Sequence, residues 1–316
     1  MLNILSVTGP IYLSIGLGYV ATRYQVFSKV DGQVLGRFVL NFALPAMLFN
    51  ALAHRDFSDV INPRYLLAYG LASLMVFGMS LCIWRVVRKK PLAESALTAL
   101  GMSSSNSGYV GYPILMQVLG PAAGVALALT LLVENLLIIP LALALADSAD
   151  KTHASWGQTV KHSFLRLTKI PMMWAIVLGF ICAMLGVQLP DVLSKTIGMF
   201  AVSCAAIALF VNGGSLVGMQ VMGTLREVGW IALGKLLLHP WMVGVLIWLF
   251  GPVSHDLQIA AVLLSAMPML GIYPLLAQRY GQQGFCAAAL LLTTVASFFS
   301  ISFILWVMDS LSWLSH

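Results

Sequence analysis

Charge is scarce in this sequence: Asp, Glu, Lys and Arg make up 9% of 316 residues, where a soluble domain carries about a quarter. With 60% apolar residues, the chain has too little polar surface for a soluble globule and reads as an integral membrane protein, with the lipid bilayer as its surroundings. Cysteine is scarce too. Cys82, Cys182, Cys204 and Cys286 lie in apolar segments without CxxC or Cys/His spacing, which leaves them as core thiols rather than a disulfide framework or a zinc site. No HExxH, paired-aspartate motif, Walker loop or GxSxG occurs, so neither intramembrane hydrolysis nor ATP-driven pumping has residues to carry it. The chain is not expected to be an enzyme, and no metal or cofactor is expected. The net charge of +6 does not point to nucleic acid, because the basic residues flank apolar segments and leave no aqueous domain to hold a patch.

What is present is a series of apolar runs near the length of about 20 residues that spans a bilayer. The first, 4–22, has no basic residue before it and no small-residue cleavage site, so it reads as a span rather than a signal peptide. Others follow at 34–53 and 65–84, then a fourth, irregular one that ends at the Gly120-Pro121 turn, then 122–146. A hydrophilic segment mixing both charge signs, 148–169, separates these from further runs at 170–187, 197–217, 228–250, 257–278 and 285–308. Ten spans result, in halves 1–147 and 170–316. Of 17 basic residues, 13 fall in one set of loops and three, Arg55, Arg64 and Lys195, in the other set. The positive-inside rule then puts both termini outside the cytoplasm. Five spans per half is odd, so the halves face opposite ways: an inverted repeat, the plan of many secondary transporters.

The fourth run organises the chain. It belongs to a charge-free stretch from Ser95 to Val133, yet its middle holds Ser103, Ser104, Ser105, Asn106 and Ser107, then Gly108, Gly111 and Pro113. Polar side chains, helix-weakening glycines and a proline without an N–H predict a broken helix. Unwound backbone at membrane depth is tolerated only where protein buries it or a wet cavity adjoins it. A kinked helix with small residues for packing is the alternative. A second copy favours a site: YPILMQVLG at 112–120 is matched by YPLLAQRYG at 273–281, an offset of 161. The same offset relates Pro10 to Pro171, Gly18 to Gly179 and Phe49 to Phe210. Paired interrupted helices in corresponding places are the best sequence pointer to a transporter's binding site. Half-helices beginning near Pro113 and Pro274 would turn their N-termini, with unpaired N–H groups and partial positive charge, toward a carboxylate.

Two charged residues sit well inside spans, Glu134 and Lys235. Each needs a partner or water, since burying one alone costs about 2.5–3.5 kcal/mol on insertion scales. They are candidates for gating or coupling, as a pair or singly, against a reading of Lys235 as a snorkelling lysine and Glu134 as a helix-to-helix hydrogen bond. Candidate substrate contacts are Ser105, Asn106, Ser107, Gly108, Tyr109 and Pro113 at the first break and Gly271, Tyr273 and Pro274 at the second. Asn41 and Asn212 are added from neighbouring spans.

These residues resemble a known family. NSGYVGYP from Asn106 to Pro113 is similar to the Asn-(Ser/Thr)-Gly-aromatic-x-Gly-x-Pro crossover segment of the auxin efflux carrier family. LNFALPAMLF, ALFVNGGSL, KLLLHP and AMP resemble its other recurrent segments, in order and over essentially the whole chain. The resemblance implies an all-α membrane fold of ten helices in two inverted five-helix repeats, with broken helices 4 and 9 crossing at the midplane. It implies a scaffold of spans 1, 2, 6 and 7, through which a homodimer would form, and a transport unit of spans 3–5 and 8–10 moving by an elevator-like mechanism. Organic-anion transport is implied as well: auxin in plants, carboxylates such as malonate among compact bacterial members of the inner membrane. The short segment between the halves matches those bacterial members. Asn106-Ser107-Gly108 in place of the plant asparagine-proline pattern argues against auxin. A coupling ion, H+ or Na+, is left open, and an anion receptor without transport or an anion channel are the alternatives.

Overall fold

The computed structural model describes residues 4–53, 62–148, 170–187, 189–219, 225–251 and 253–314. The segment 148–169 lies outside them from residue 149 on. Helices α1 (Ile4–Arg23), α2 (Lys29–Ala53), α3 (Pro63–Val87), α6 (Ala123–Ser148), α8 (Asp191–Ser215), α9 (Leu225–Phe250) and α12 (Gln283–Ser310) are each long and apolar enough to cross a membrane. The shorter α7 (Pro171–Leu185) is as apolar. Two interrupted segments complete the described helices: α4 (Leu92–Ser103) with α5 (Tyr112–Leu119), and α10 (His255–Ser265) with α11 (Tyr273–Gln278). Among the described residues there is no strand. The protein is an all-helical, multi-pass membrane protein.

Local chemistry sets the helix ends. Ser28 and Asp31 cap α2 reciprocally, each side chain bonded to the other's backbone N–H. Asn62 accepts the Tyr65 N–H ahead of Pro63 at the start of α3. Gly186 closes α7 at φ +61°, a conformation that costs a glycine nothing. Large apolar side chains such as Leu13, Val202 and Trp248 stay exposed, as a lipid-facing surface requires.

Packing divides by neighbour. Helix α8 lies along α1 and α2, and α7 lies along α2; elsewhere α3 packs on α4 and α9, α4 on α6, α10 on α9, and α11 on α12. Under the 161-residue offset α1 corresponds to α7 and α2 to α8, so the α1–α8 and α2–α7 contacts are counterparts. The first is a close approach. A Cβ on Gly18 would run into the Phe210 carbonyl, and one on Gly213 into the carbonyl of Ile15. Gly213→Val is therefore expected to abolish the monodisperse folded protein seen by size-exclusion chromatography, whereas Gly16→Val, where a Cβ meets nothing within 4 Å, is expected to be tolerated.

Ion pairs staple the ends of several helices. Lys90, in the turn between α3 and α4, reaches Glu94 at 2.9 Å and Glu227 of α9 at 3.3 Å. The hydrogen bond to Glu94, helped by Glu227 and opposed by desolvation, holds the Lys90 ammonium above the ordinary lysine range. Asp147 of α6 accepts Tyr280 Oη at 2.6 Å and pairs with Arg279 at 3.4 Å.

Four prolines reshape the helices they interrupt. Before Pro45, Pro113, Pro140 and Pro240 the preceding residue gives its N–H to the carbonyl five residues back: Leu44 to Val39, Tyr112 to Ser107, Ile139 to Glu134 and His239 to Gly234. A helical proline has no N–H to give, and its ring crowds the carbonyl four residues back. Widening the turn by one residue relieves both, and such π turns gather at functional sites. Glu134 and Lys235 each lie in one of them.

Candidate functional site

The first break runs through Ser104, Ser105 and Asn106, which are unwound, into the π turn of Ser107–Gly111. The second covers residues 266–272 between α10 and α11. The two meet: the Asn106 N–H donates to the Pro268 carbonyl at 2.8 Å. Unwound backbone from one interruption thus satisfies unwound backbone from the other, which water would otherwise have to do. The Asn106 carbonyl closes the first break by accepting the N–H groups of Val110 and Gly111 at 3.1 and 3.0 Å.

Ser105 stands between the two buried charges. Its N–H donates to Glu134 Oε1 at 2.9 Å, and the same oxygen accepts the Ser107 hydroxyl at 3.0 Å. Its own Oγ accepts from Lys235 Nζ at 2.6 Å. The ammonium also donates to the Ser265 carbonyl at 2.8 Å and contacts His239 Nδ1 at 2.8 Å. Lysine has donors only, so Nδ1 accepts, and the ring proton on Nε2 goes to Ser73 Oγ at 3.0 Å. All three ammonium hydrogens are therefore used. Ser265 is the last residue of α10, and its carbonyl is among those a helix end leaves unpaired, where a cation is favoured. Lys235 is 0% exposed, which rules out snorkelling. It forms no ion pair with Glu134 among the described residues. The two charges balance across one residue, Ser105.

Around this pair lie Tyr65, whose hydroxyl bonds Thr130 at 2.7 Å, and Tyr69, stacked on Tyr65 and edge-on to His239. On the other side of the break Asn106 Nδ2 donates to Asn212 Oδ1 of α8 at 3.1 Å, and the backbone of Gly271 lies beside both amides. Gly108, Tyr109 and Gly271 are partly exposed, and Tyr109 Oη donates to the Gly36 carbonyl at 3.3 Å.

The other expected residues fall in differing places. Pro113 and Pro274 are the second residues of α5 and α11. The Tyr273 hydroxyl donates to the Leu97 carbonyl at 2.9 Å, and its ring lies against Gly101 of α4; it ties the two interrupted segments together. Helix α11 has six residues and starts at the second break, with Pro274 in its first turn. Asn41 is exposed on α2 and bonds its own helix at the Arg37 carbonyl, 2.7 Å away, apart from the cluster. Ser73 and Ser265 were not anticipated: a serine in an apolar run carries no signal of its partner. The bond of His239 on α9 to Ser73 on α3 joins two helices.

Residues 6–305 match the family described as Membrane transport protein. Among curated relatives, the "Putative malonate transporter" of Rhizobium meliloti (strain 1021) is 26% identical over 311 residues, covering 98% of this chain and 97% of that one. The "Uncharacterized transporter YfdV" of Escherichia coli (strain K12) is 25% identical over 236 residues, covering 73% and 74%. The "Lysosomal cholesterol signaling protein" of Mus musculus is 26% identical over 213 residues, 64% of this chain but 24% of that protein. A match across nearly the whole length, joined to two interrupted helices that meet at a buried polar cluster, places the chain in the membrane transport protein family, that of the auxin efflux carriers.

Proposed function

We propose that this protein is a secondary carrier for a small organic anion, a carboxylate such as malonate. The observation that carries the reading is the meeting of the two breaks at Asn106 and Pro268, with charges of both signs held behind it by Ser105. Paired discontinuous helices are where carriers bind substrate. The printed name of the Rhizobium meliloti relative supports malonate as the first substrate to try.

The proposed architecture is ten spans in two inverted repeats, 1–147 and 170–316, joined by 148–169. The counterpart contacts of α1 with α8 and α2 with α7 support it. Helices α1, α2, α7 and α8 form the frame, through which a second copy would pair, and the remaining helices move against it by alternating access. Both termini lie on the non-cytoplasmic side of a bacterial inner membrane. Asn106, Ser107, Gly108, Tyr109, Asn212 and Gly271 surround the substrate. Ser105, Glu134 and Lys235 keep the break charged, neutral overall and in shape. Lys235 fills the carbonyl end of α10, a place where carriers of this plan hold a coupling cation; Glu134 remains the candidate for H+.

Labelled malonate is expected to enter vesicles containing the protein saturably and to be competed by other short carboxylates. Non-saturable uptake proportional to concentration would contradict a carrier. Single cysteines at either terminus are expected to react with an impermeant reagent from outside, and one at Lys89 to be protected; the reverse pattern inverts the topology.

A further inference from the structure

Asn212 is 4% exposed, and its Nδ2 has no partner among the described residues. A primary amide offers two N–H groups, and leaving them unmade in a buried place is costly. The acceptor side of the same amide is taken, since Asn212 Oδ1 receives Asn106 Nδ2 at 3.1 Å. The pair therefore has donors to spare, and the buried Nδ2 of Asn212 has no acceptor to meet it among the described residues. Gly271 borders it with no side chain: a Cβ there would lie 3.5 Å from Asn106 Nδ2 and 3.8 Å from Asn212 Oδ1. Gly271 is itself partly exposed, so the amide pair lies one residue below an accessible surface.

The two asparagines also belong to different packing groups. Asn106 is in the break between α4 and α5; Asn212 is on α8, which lies along α1 and α2. Other bonds linking these groups are neutral as well, Tyr109 Oη to the Gly36 carbonyl and Tyr12 Oη with Ser297 Oγ at 2.9 Å.

Resting on the reading of the chain as a carboxylate carrier, we propose that the Asn106–Asn212 amide pair is both the carboxylate's site and the bond the carboxylate must break. A carboxylate is acceptor-only and has two oxygens. It takes one N–H from each asparagine, satisfying the free donor of Asn212, and its negative charge, placed beside Asn212 Oδ1, repels that oxygen, so that Asn106 Nδ2 turns from Oδ1 to the carboxylate. The empty carrier holds its moving unit to the frame by the amide bond, and the loaded carrier has exchanged that bond for bonds to substrate. Crossing is therefore faster loaded than empty. Substrates without an acceptor pair at this spacing, such as amines and alcohols, do not split the pair. The absent side chain at 271 lets a carboxylate approach both amides.

The test is efflux of labelled malonate from vesicles containing the whole protein, into medium with and without saturating unlabelled malonate. For the wild type, external malonate is expected to accelerate efflux about tenfold, the order expected from one buried hydrogen bond made or lost. In Asn212→Ala the bond is gone, so malonate binds more weakly and the acceleration falls toward onefold, because the empty carrier returns freely. Gly271→Ala fills the approach without touching the amide bond, so binding weakens while the acceleration persists. Saturable flux with no acceleration in the wild type, or acceleration kept in full by Asn212→Ala, overturns the inference and leaves the carrier reading standing. Neither binding nor flux of any short carboxylate overturns both.

Discussion

Lys235→Met is expected to abolish transport, and Glu134→Gln to reduce it severely, while the double substitution does less damage than Lys235→Met alone. The ammonium is fully buried with three partners, Ser105 Oγ, the Ser265 carbonyl and His239 Nδ1. Removing it leaves Glu134 charged and buried with only Ser105 and Ser107 to answer it. Breaking a buried pair by deleting one member costs about 3–5 kcal/mol, more than losing both members together. The two charges touch through Ser105 rather than directly, so the coupling has to pass through the conformation of the break. The check is a double-mutant cycle on malonate flux and on melting temperature, with folded protein confirmed by size-exclusion chromatography. Additive effects on both would mean that Ser105 does not join the charges. Ser105→Ala with both charges kept supplies the third arm: the backbone N–H to Glu134 survives, the acceptor for Lys235 is lost, and flux is expected to fall less than in Lys235→Met.

Asn106→Ala is expected to weaken malonate binding about 10- to 100-fold while the protein stays folded. A hydrogen bond to a charged group contributes about 1.5–3 kcal/mol, and each 1.4 kcal/mol is a factor of ten in affinity. The Asn106 N–H to Pro268 and the Asn106 carbonyl to Val110 and Gly111 are backbone bonds, which alanine keeps. The break therefore keeps its shape and loses only the amide. Calorimetric titration of malonate into wild type and variant reads the difference. Unchanged affinity with an unchanged melting temperature would reduce Asn106 to a packing residue.

The ends of the seven long apolar helices were legible because the bilayer imposes one length and one composition on a crossing helix. Expectation and structure differ by a few residues, as at 65–84 against Pro63–Val87 and 285–308 against Gln283–Ser310. The breaks were legible for a different reason: proline, glycine and consecutive polar residues cannot continue a helix in an apolar run without consequence. Pro45, Pro140 and Pro240 predict kinks, and the widened turns that carry Glu134 and Lys235 lie just ahead of two of them. What the chain order conceals is pairing across long separations. Nothing near Lys235 announces Ser105, 130 residues away, or the carbonyl of Ser265, because a serine side chain or a backbone oxygen at the right place leaves no pattern in its own neighbourhood. Asn41 and Asn212 look alike in sequence, an amide inside an apolar span, yet one bonds its own helix at the surface and the other faces Asn106. Only the packing of α8 against the break tells them apart.

Counterflow tests the central claim most directly. Vesicles containing the protein are loaded with unlabelled malonate and diluted into a trace of labelled malonate. A carrier whose single site faces each side in turn accumulates label inside above its equilibrium level, transiently, until the internal pool is diluted. The account predicts that overshoot for the wild type, a much smaller one for Asn106→Ala, and none for Lys235→Met. Malonate binding without flux, or flux that approaches equilibrium from below with no overshoot, would contradict it and identify a receptor or a channel instead.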